Sequence, residues 1–415
     1  MFSREDNERL TRVGPGSPMG ELMRRYWIPA AFSRQLAQPD GPPLRVRLMG
    51  ENLVAFRTTD GRVGLVDERC PHRLASLFFG RNEQNGLRCV YHGLKFDVDG
   101  RCVDAPCVPN VSDEQLSNIK RALTVKSYPC VERGDIIWAY MGPPELKPEF
   151  PELEWTAVPS SHRFATRHLQ ECNWLQGVEG GFDPTHLDFL HRGDGVREQR
   201  IVPSFYEVIP TDFGFAFGAG RDLGNGDIRW SINVMLMPFH KLIAMKLNAA
   251  HVWVPIDDKN TMVYSVHFNR ERPLTEEEIA RQTSWTDIHP ENIPGTDRGV
   301  QNKSNDYLID RARQSSGSNF TGMKGVGTQD CAIQESMGPI VDRAHEHLLT
   351  IDSHVVKVRR LLLQALNDYA AGKTPPGLDP ASYRVKTMNY EAPKGVPFTE
   401  TAYKHYRPKE MATSA

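Results

Sequence analysis

Residues 70–72 read Cys70-Pro71-His72 and, sixteen residues on, 89–93 read Cys89-Val90-Tyr91-His92-Gly93. The two short boxes supply two thiolates and two imidazoles. A mixed-ligand [2Fe–2S] centre needs that set, with two Cys on one iron and two His on the other. Neutral imidazoles in place of anionic thiolates lower the negative charge on such a cluster, so its potential lies far above that of an all-Cys plant-type centre. The same four side chains could instead build a Cys2His2 zinc site.

The boxes lie in a strand-rich stretch. Residues 44–48, 53–56, 63–66 and 136–140 read as short strands separated by Gly and Asp turns. Pro- and Gly-rich segments at 38–43, 141–151 and 372–377 punctuate the chain. They predict an N-terminal helical segment, 1–43, packing on the catalytic domain; a small β domain, 44–145; and a larger domain, 146–415. Within the last, 213–217, 232–237, 242–245 and 262–267 read as strands. Thr275 reads as the cap of a helix opening on three glutamates. The Gly/Ser-rich 315–327 reads as a mobile loop. A long helix is expected from near Gly338 to near Gly372.

A length of 415 residues allows two domains or more. Hydrophobic content of 39%, charged content of 25% and a net charge of −2 fit a soluble globular protein and point to neither nucleic acid nor an anionic membrane as partner. The first residues carry no apolar signal core, and no run is long and apolar enough for a transmembrane helix. Seven cysteines, an odd number, argue against a disulfide framework and for a reducing cytoplasm.

A second constellation runs from Glu179 to His191: Glu179-Gly180-Gly181-Phe182-Asp183-Pro184-Thr185-His186-Leu187-Asp188-Phe189-Leu190-His191. Non-haem Fe(II) oxygenases bind iron through two His and one carboxylate, leaving positions free for oxygen and substrate. His186 and His191 can be the imidazoles. On a regular helix they would diverge by roughly 140°, so the helix must bulge or end there. The third ligand should be an acidic residue distant in sequence. Asp352, in the apolar run 348–356, is favoured, because a lone buried carboxylate is costly without a partner. Asp342 competes, but the adjacent Arg343 suggests an ion pair or a cap.

With both constellations in place, the chain resembles the oxygenase (alpha) component of a Rieske non-haem iron ring-hydroxylating oxygenase of the phthalate dioxygenase type. The resemblance rests on both cluster boxes, on 173–191, on 334–352 and on the opening run from Pro18 to Trp27. It implies an α+β fold: an N-terminal Rieske [2Fe–2S] β domain on a C-terminal helix-grip (START/Bet v1-like) domain with an antiparallel sheet. It implies that Cys70, His72, Cys89 and His92 bind the cluster, that His186, His191 and Asp352 bind a mononuclear Fe(II), and that Asn173 lies near the iron. It implies that Asp183 bridges His186 and a cluster His of the neighbouring subunit, in a head-to-tail homotrimer or a hexamer of stacked trimers. Leu94 departs from the Trp that many relatives carry there, which leaves the subunit contact less defined.

The implied activity is hydroxylation of a phthalate-like or benzoate-like aromatic acid with O2, giving a cis-dihydrodiol. Electrons would come from NADH through a reductase carrying flavin and a [2Fe–2S] cluster. A monooxygenase or O-demethylase on the same scaffold is the alternative. A non-catalytic Rieske electron carrier is the alternative from another class; the absence of a further Cys in each box weakens it. Arg221 and Arg229 are the candidate anchors for a substrate carboxylate. Met235, Met237 and Phe239 could line the pocket or be plain core.

Overall fold

The computed structural model describes residues 2–193, 203, 205–245, 247–282 and 288–406. The chain divides into two compact units, Arg24–Lys147 on one side and Met1–Met23 with Pro148–Ala415 on the other.

The smaller unit holds three antiparallel sheets. In one, strand Trp27–Phe32 pairs with Ile136–Tyr140, which also pairs with Cys130–Arg133. A second joins Leu44–Leu48, Glu51–Arg57, Val63–Asp67 and Ser127–Tyr128. The third is made of the short strands Arg81–Glu83, Gly86–Arg88, Lys95–Phe96 and Cys102–Asp104. Two of the strands read from sequence, 44–48 and 136–140, coincide with these bounds.

The expected boundary at residue 43 moves. All six residues of Trp27–Phe32 are buried, and their backbone groups are paired by Ile136–Tyr140. That strand therefore belongs to the small unit, and only Met1–Met23 joins the large one. The expected N-terminal helical segment holds the helix Pro18–Met23, with Pro in its first turn, where a missing N–H costs nothing.

The larger unit is built on an eight-stranded antiparallel sheet. Its path runs Arg163–Gln170, Asn260–Phe268, Asn248–Asp257, His240–Ile243, Asp227–Leu236, Gly214–Asp222 and Phe205–Thr211; Met388–Pro393 pairs with Asp227–Leu236. The helix Ser353–Ala370 packs on strand Phe205–Thr211. The arrangement is α+β, with a helix gripped against an antiparallel sheet.

Two expectations are corrected here. The long helix begins at Ser353, not near Gly338: Gly338 has φ +91°, Pro339 follows, and only three-residue 3-10 turns form at Arg343–His345 and Thr350–Asp352. The Gly/Ser-rich 315–327 is pinned, not loose. Buried Asn319 accepts the N–H groups of Thr321 and Gly322 through Oδ1, and helix Val326–Ser336 starts within it. The helix at Thr275 is as read: its hydroxyl accepts Glu278 N–H, and Glu278 returns to Thr275 N–H.

A buried ion network ties the large unit together. Arg343, with no exposed side-chain surface, donates to Glu179 and to Asn7 Oδ1. Arg359 joins Glu179 at 2.6 Å and Glu346 at 2.6 Å. Opposite charges in register offset the cost of desolvating each.

Candidate cluster loops and metal centre

The two Cys/His boxes fold as two copies of one loop. Cys70 N–H donates to Ala75 O and Leu74 N–H to Cys70 O, both at 2.9 Å. Likewise Cys89 N–H donates to Leu94 O at 2.8 Å and Gly93 N–H to Cys89 O at 2.9 Å. Both thiols point into the core formed with Phe56, Leu77, Leu87 and Phe96. His72 and His92 lie toward the surface, with ring centroids 4.5 Å apart.

This donor set fits a Rieske cluster: the thiols are inside, the imidazoles outside. Burial, with Cys89 alongside, pushes the Cys70 thiol up to about 11. The His72 and Arg73 backbone N–H groups favour the thiolate, and bound metal charge would favour it further. Leu94 is buried in the same core, so a side chain here serves the unit's interior.

The second site forms where helix Trp174–Gly181 ends. Glycines let this helix lie against the sheet; a Cβ on Gly177 or Gly181 would come within 2.3 or 2.4 Å of the Trp253 ring. Pro184 prevents its continuation, and a 3-10 turn, His186–Asp188, follows. The end of the helix that the His spacing required is observed. It brings His186 Nε2 to 3.2 Å from His191 Nε2.

The carboxylate is Asp330, on helix Val326–Ser336. Its Oδ1 lies 3.5 Å from His186 Nε2 and 3.3 Å from His191 Nε2. Donors each about 2.1 Å from one metal and at right angles sit about 3 Å apart, so the three atoms fit one face of an octahedral ion. Burial alone would raise the Asp330 pKa, but the His191 and His186 imidazoles hold it down to about 2. It is a carboxylate whenever a metal is present.

Neighbouring groups orient the ligands. His191 Nδ1 lies 2.8 Å from Gln329 Oε1, which fixes the proton on Nδ1 and leaves Nε2 free for metal. Asp183 Oδ2 lies 3.4 Å from His186 Nδ1, while its Oδ1 accepts Thr185 N–H at 2.8 Å. Buried His354 stands 4.0 Å behind Asp183.

Asp352 is therefore replaced as the third ligand. Its Oδ2 accepts Leu349 N–H at 2.7 Å and closes a turn. The apolar run that favoured it is outward-facing: Leu348, Leu349 and Ile351 are exposed. Asp342 caps the 343–345 turn and pairs with His345, the structural role expected of it. Asn173, expected near the iron, has a structural part in the fold. It caps helix Trp174–Gly181, and its amide donates to Thr11 O and Asp258 O.

Arg221 and Arg229 are not pocket residues. They are cross-strand partners on the outer face, both exposed, and Arg229 pairs with Glu391 at 2.6 Å. Strand alternation turns Trp230, next to Arg229 in the chain, inward instead. Met235, Met237 and Phe239 are buried.

A loop pair suited to a cluster and a triad suited to an oxygen-activating iron are the two centres of an oxygenase fed by electrons. Comparison with known proteins agrees. Residues 26–129 match the Rieske [2Fe-2S] domain family, and 206–413 match the family described as LigXa C-terminal domain like. The chain is 39% identical to the 3-chlorobenzoate-3,4-dioxygenase oxygenase subunit of Comamonas testosteroni, over 96% of this chain and 97% of that one. It is 36% identical to the phthalate 4,5-dioxygenase oxygenase subunit of Pseudomonas putida, over 94% and 92%. Among solved structures, the NdmA QL mutant of Pseudomonas putida CBB5 with theobromine aligns at TM-score 0.62 and 18% identity, over 92% and 99%; this likeness shows the fold. The chain belongs to the Rieske non-haem iron aromatic ring-hydroxylating oxygenases, as an oxygenase component. Its cofactors are a Rieske [2Fe–2S] cluster and a mononuclear non-haem iron, and it works with a reductase. Among the described residues no helix is long and apolar enough to cross a membrane.

Proposed function

We propose that this oxygenase hydroxylates a small aromatic carboxylate of the benzoate or phthalate kind, giving a cis-dihydrodiol. The observation that carries the reading is the His186–His191–Asp330 group, whose donor atoms lie within 4.8 Å of one another, the set that would hold an Fe(II) with positions left for oxygen and substrate. The acids named for two relatives support the substrate class. Cys70, His72, Cys89 and His92 would hold the cluster. When bound, the cluster and the iron supply single electrons and activation of dioxygen.

The chain's own residues position and tune. Gln329 holds His191 by Nδ1, and Asp183 holds His186 by Nδ1. In our reading Asp183 also accepts a hydrogen bond from a cluster imidazole of a neighbouring subunit, within a head-to-tail trimer or stacked trimers. Electrons start at NADH and arrive through a flavin and [2Fe–2S] reductase. Cysteines outside the cluster boxes that form no disulfide among the described residues, such as Cys102, Cys172 and Cys331, suit a reducing cytoplasm.

The test is oxygen and NADH consumption with a surrogate reductase, screened over benzoate, 3-chlorobenzoate and phthalate. An acid-stimulated rate, with both atoms of labelled O2 in the product, is expected. Stimulation by neutral aromatics alone would overturn the acid reading, and a single labelled atom would make the enzyme a monooxygenase.

A further inference from the structure

Lys241 is a cation inside the catalytic unit that no carboxylate among the described residues pairs with. Cross-strand register places Met235, Lys241 and His251 in one row of the sheet. Directly paired residues share a face. Trp253, two residues beyond His251 and on the same face, packs against Gly177 and Gly181. This is the face covered by the helix that leads into Asp183 and His186.

The ammonium has one acceptor, the Gly181 carbonyl, and stands 5.1 Å from the Phe182 ring centroid. No carboxylate of the described residues pairs with it. Among the described residues, one of its three N–H donors is used. Burial draws its pKa down to about 8, against the pull of Asp330 and Asp183, the charges of the metal site. His251 beside it is kept neutral, burial drawing it down to about 3. Both side chains are half-buried in the sheet face beneath the helix. An unpaired buried ammonium is costly, and a ligand carboxylate is the partner that removes the cost.

We propose that Lys241 is the residue that anchors the carboxylate of the substrate, holding its ring toward the His186–His191–Asp330 face. The proposal rests on the aromatic-acid reading above. It assigns to one inward Lys the role that sequence gave to Arg221 and Arg229, and no bond is made or broken by it. Lys241 is a specificity residue: its ion pair is formed in the bound substrate and in the transition state alike, so it acts on KM more than on kcat.

The experiment is calorimetric binding to the holoenzyme of benzoate, 3-chlorobenzoate and phthalate, each beside its neutral amide. Wild type, Lys241→Met and Lys241→Gln are compared, the last keeping a donor for Gly181 O. Wild type should prefer at least one acid to its amide. Both variants should keep cluster colour, weaken that acid tenfold or more, and bind the amide nearly unchanged. Under turnover KM rises and kcat changes little. An acid bound equally well by wild type and variants overturns the assignment, as does a wild type that takes up the amides and none of the acids. Lys241-dependent acid binding without any turnover of the bound acids would instead count against the hydroxylation reading and leave the anchor standing.

Discussion

Leu74 and Gly93 occupy the same position in two copies of one loop. Each is four residues past its cysteine, each donates its N–H to that cysteine's carbonyl at 2.9 Å, and each has positive φ, +59° and +79°. Left-handed backbone costs a non-glycine residue roughly 1 kcal/mol. At Gly93 a Cβ would also come within 2.8 Å of Pro106 Cγ. Gly93→Ala is therefore expected to lose most of its cluster, read as visible absorbance and acid-labile sulfide per chain. Leu74→Gly, at an exposed position, should keep full colour. A fully coloured Gly93→Ala would show that the second loop tolerates what its geometry forbids.

Asp330→Ala should empty the mononuclear iron site and leave cluster colour intact, because two imidazoles alone hold Fe(II) weakly against water. Asp352→Ala should keep iron, since its carboxylate closes a turn on Leu349 N–H and is not among the donors grouped with His186 and His191. Iron analysis of the two variants decides between the carboxylates. Iron retained without Asp330 and lost without Asp352 would reverse the assignment.

The sequence made the cluster loops and the His pair legible because their ligands are neighbours in the chain, and spacing there is geometry. The third ligand was not legible for a physical reason. Helix Val326–Ser336 buries Thr328, Gln329, Gln334 and Glu335, so it shows no apolar stripe and reads as the tail of a Gly/Ser-rich loop. Around Asp352 the error ran the other way, since an apolar run turned outward. Trp27–Phe32 was assigned to the wrong unit because pairing with a strand a hundred residues on leaves no local trace. Composition likewise shows that arginines exist near the pocket strands, but alternation decides which face a charge takes, and it sent Arg221 and Arg229 out and Lys241 in.

Gln329 fixes the tautomer of His191 from the residue next to Asp330. Gln329→Leu removes the acceptor of the Nδ1 proton while nearly conserving volume. Iron affinity should fall ten- to a hundredfold, the usual effect of losing such a partner, whereas Gln329→Glu, which keeps an acceptor, should stay within a few-fold. Competition with a chelator measures both. Equal affinity in all three proteins would show that the ring is held by packing alone.

Burial keeps His168, His240 and His267 neutral, drawing their pKa values down to about 4, 3 and 4. The unfolded chain takes up protons at about 6.5, and the folded chain does not. Stability is therefore complete above that value and is lost as pH falls toward 4. Each group contributes up to about 1.4 kcal/mol per pH unit in that window. The melting temperature should drop steeply between about pH 6.5 and 5, a range in which ordinary carboxylates stay ionised. A flat melting temperature there would mean that these rings take up protons in the folded protein as readily as in the unfolded chain.

Asp183 does two things at once. Its Oδ1 accepts Thr185 N–H and shapes the turn before Pro184's successors, and its Oδ2 faces His186 Nδ1 at 3.4 Å. Burial would raise its pKa, yet the His186 hydrogen bond and charge hold it below the usual value, so it is ionised. Asn in its place can still accept from Thr185, so the turn and the fold should persist. The charge is gone, however, and the amide N–H2 would meet the Nδ1–H of His186, donor against donor. A neighbouring subunit's imidazole N–H would lose its acceptor as well. Asp183→Asn should therefore keep its melting temperature, its sulfide and its mononuclear iron. Turnover should fall by an order of magnitude or more, and a pre-reduced sample given substrate and oxygen should recover its oxidised spectrum slowly in a single turnover. Metal contents and spectrum recovery are read on the same sample, which separates loss of iron from loss of electron delivery. Recovery at the wild-type rate would confine Asp183 to the turn and remove it from the path between subunits.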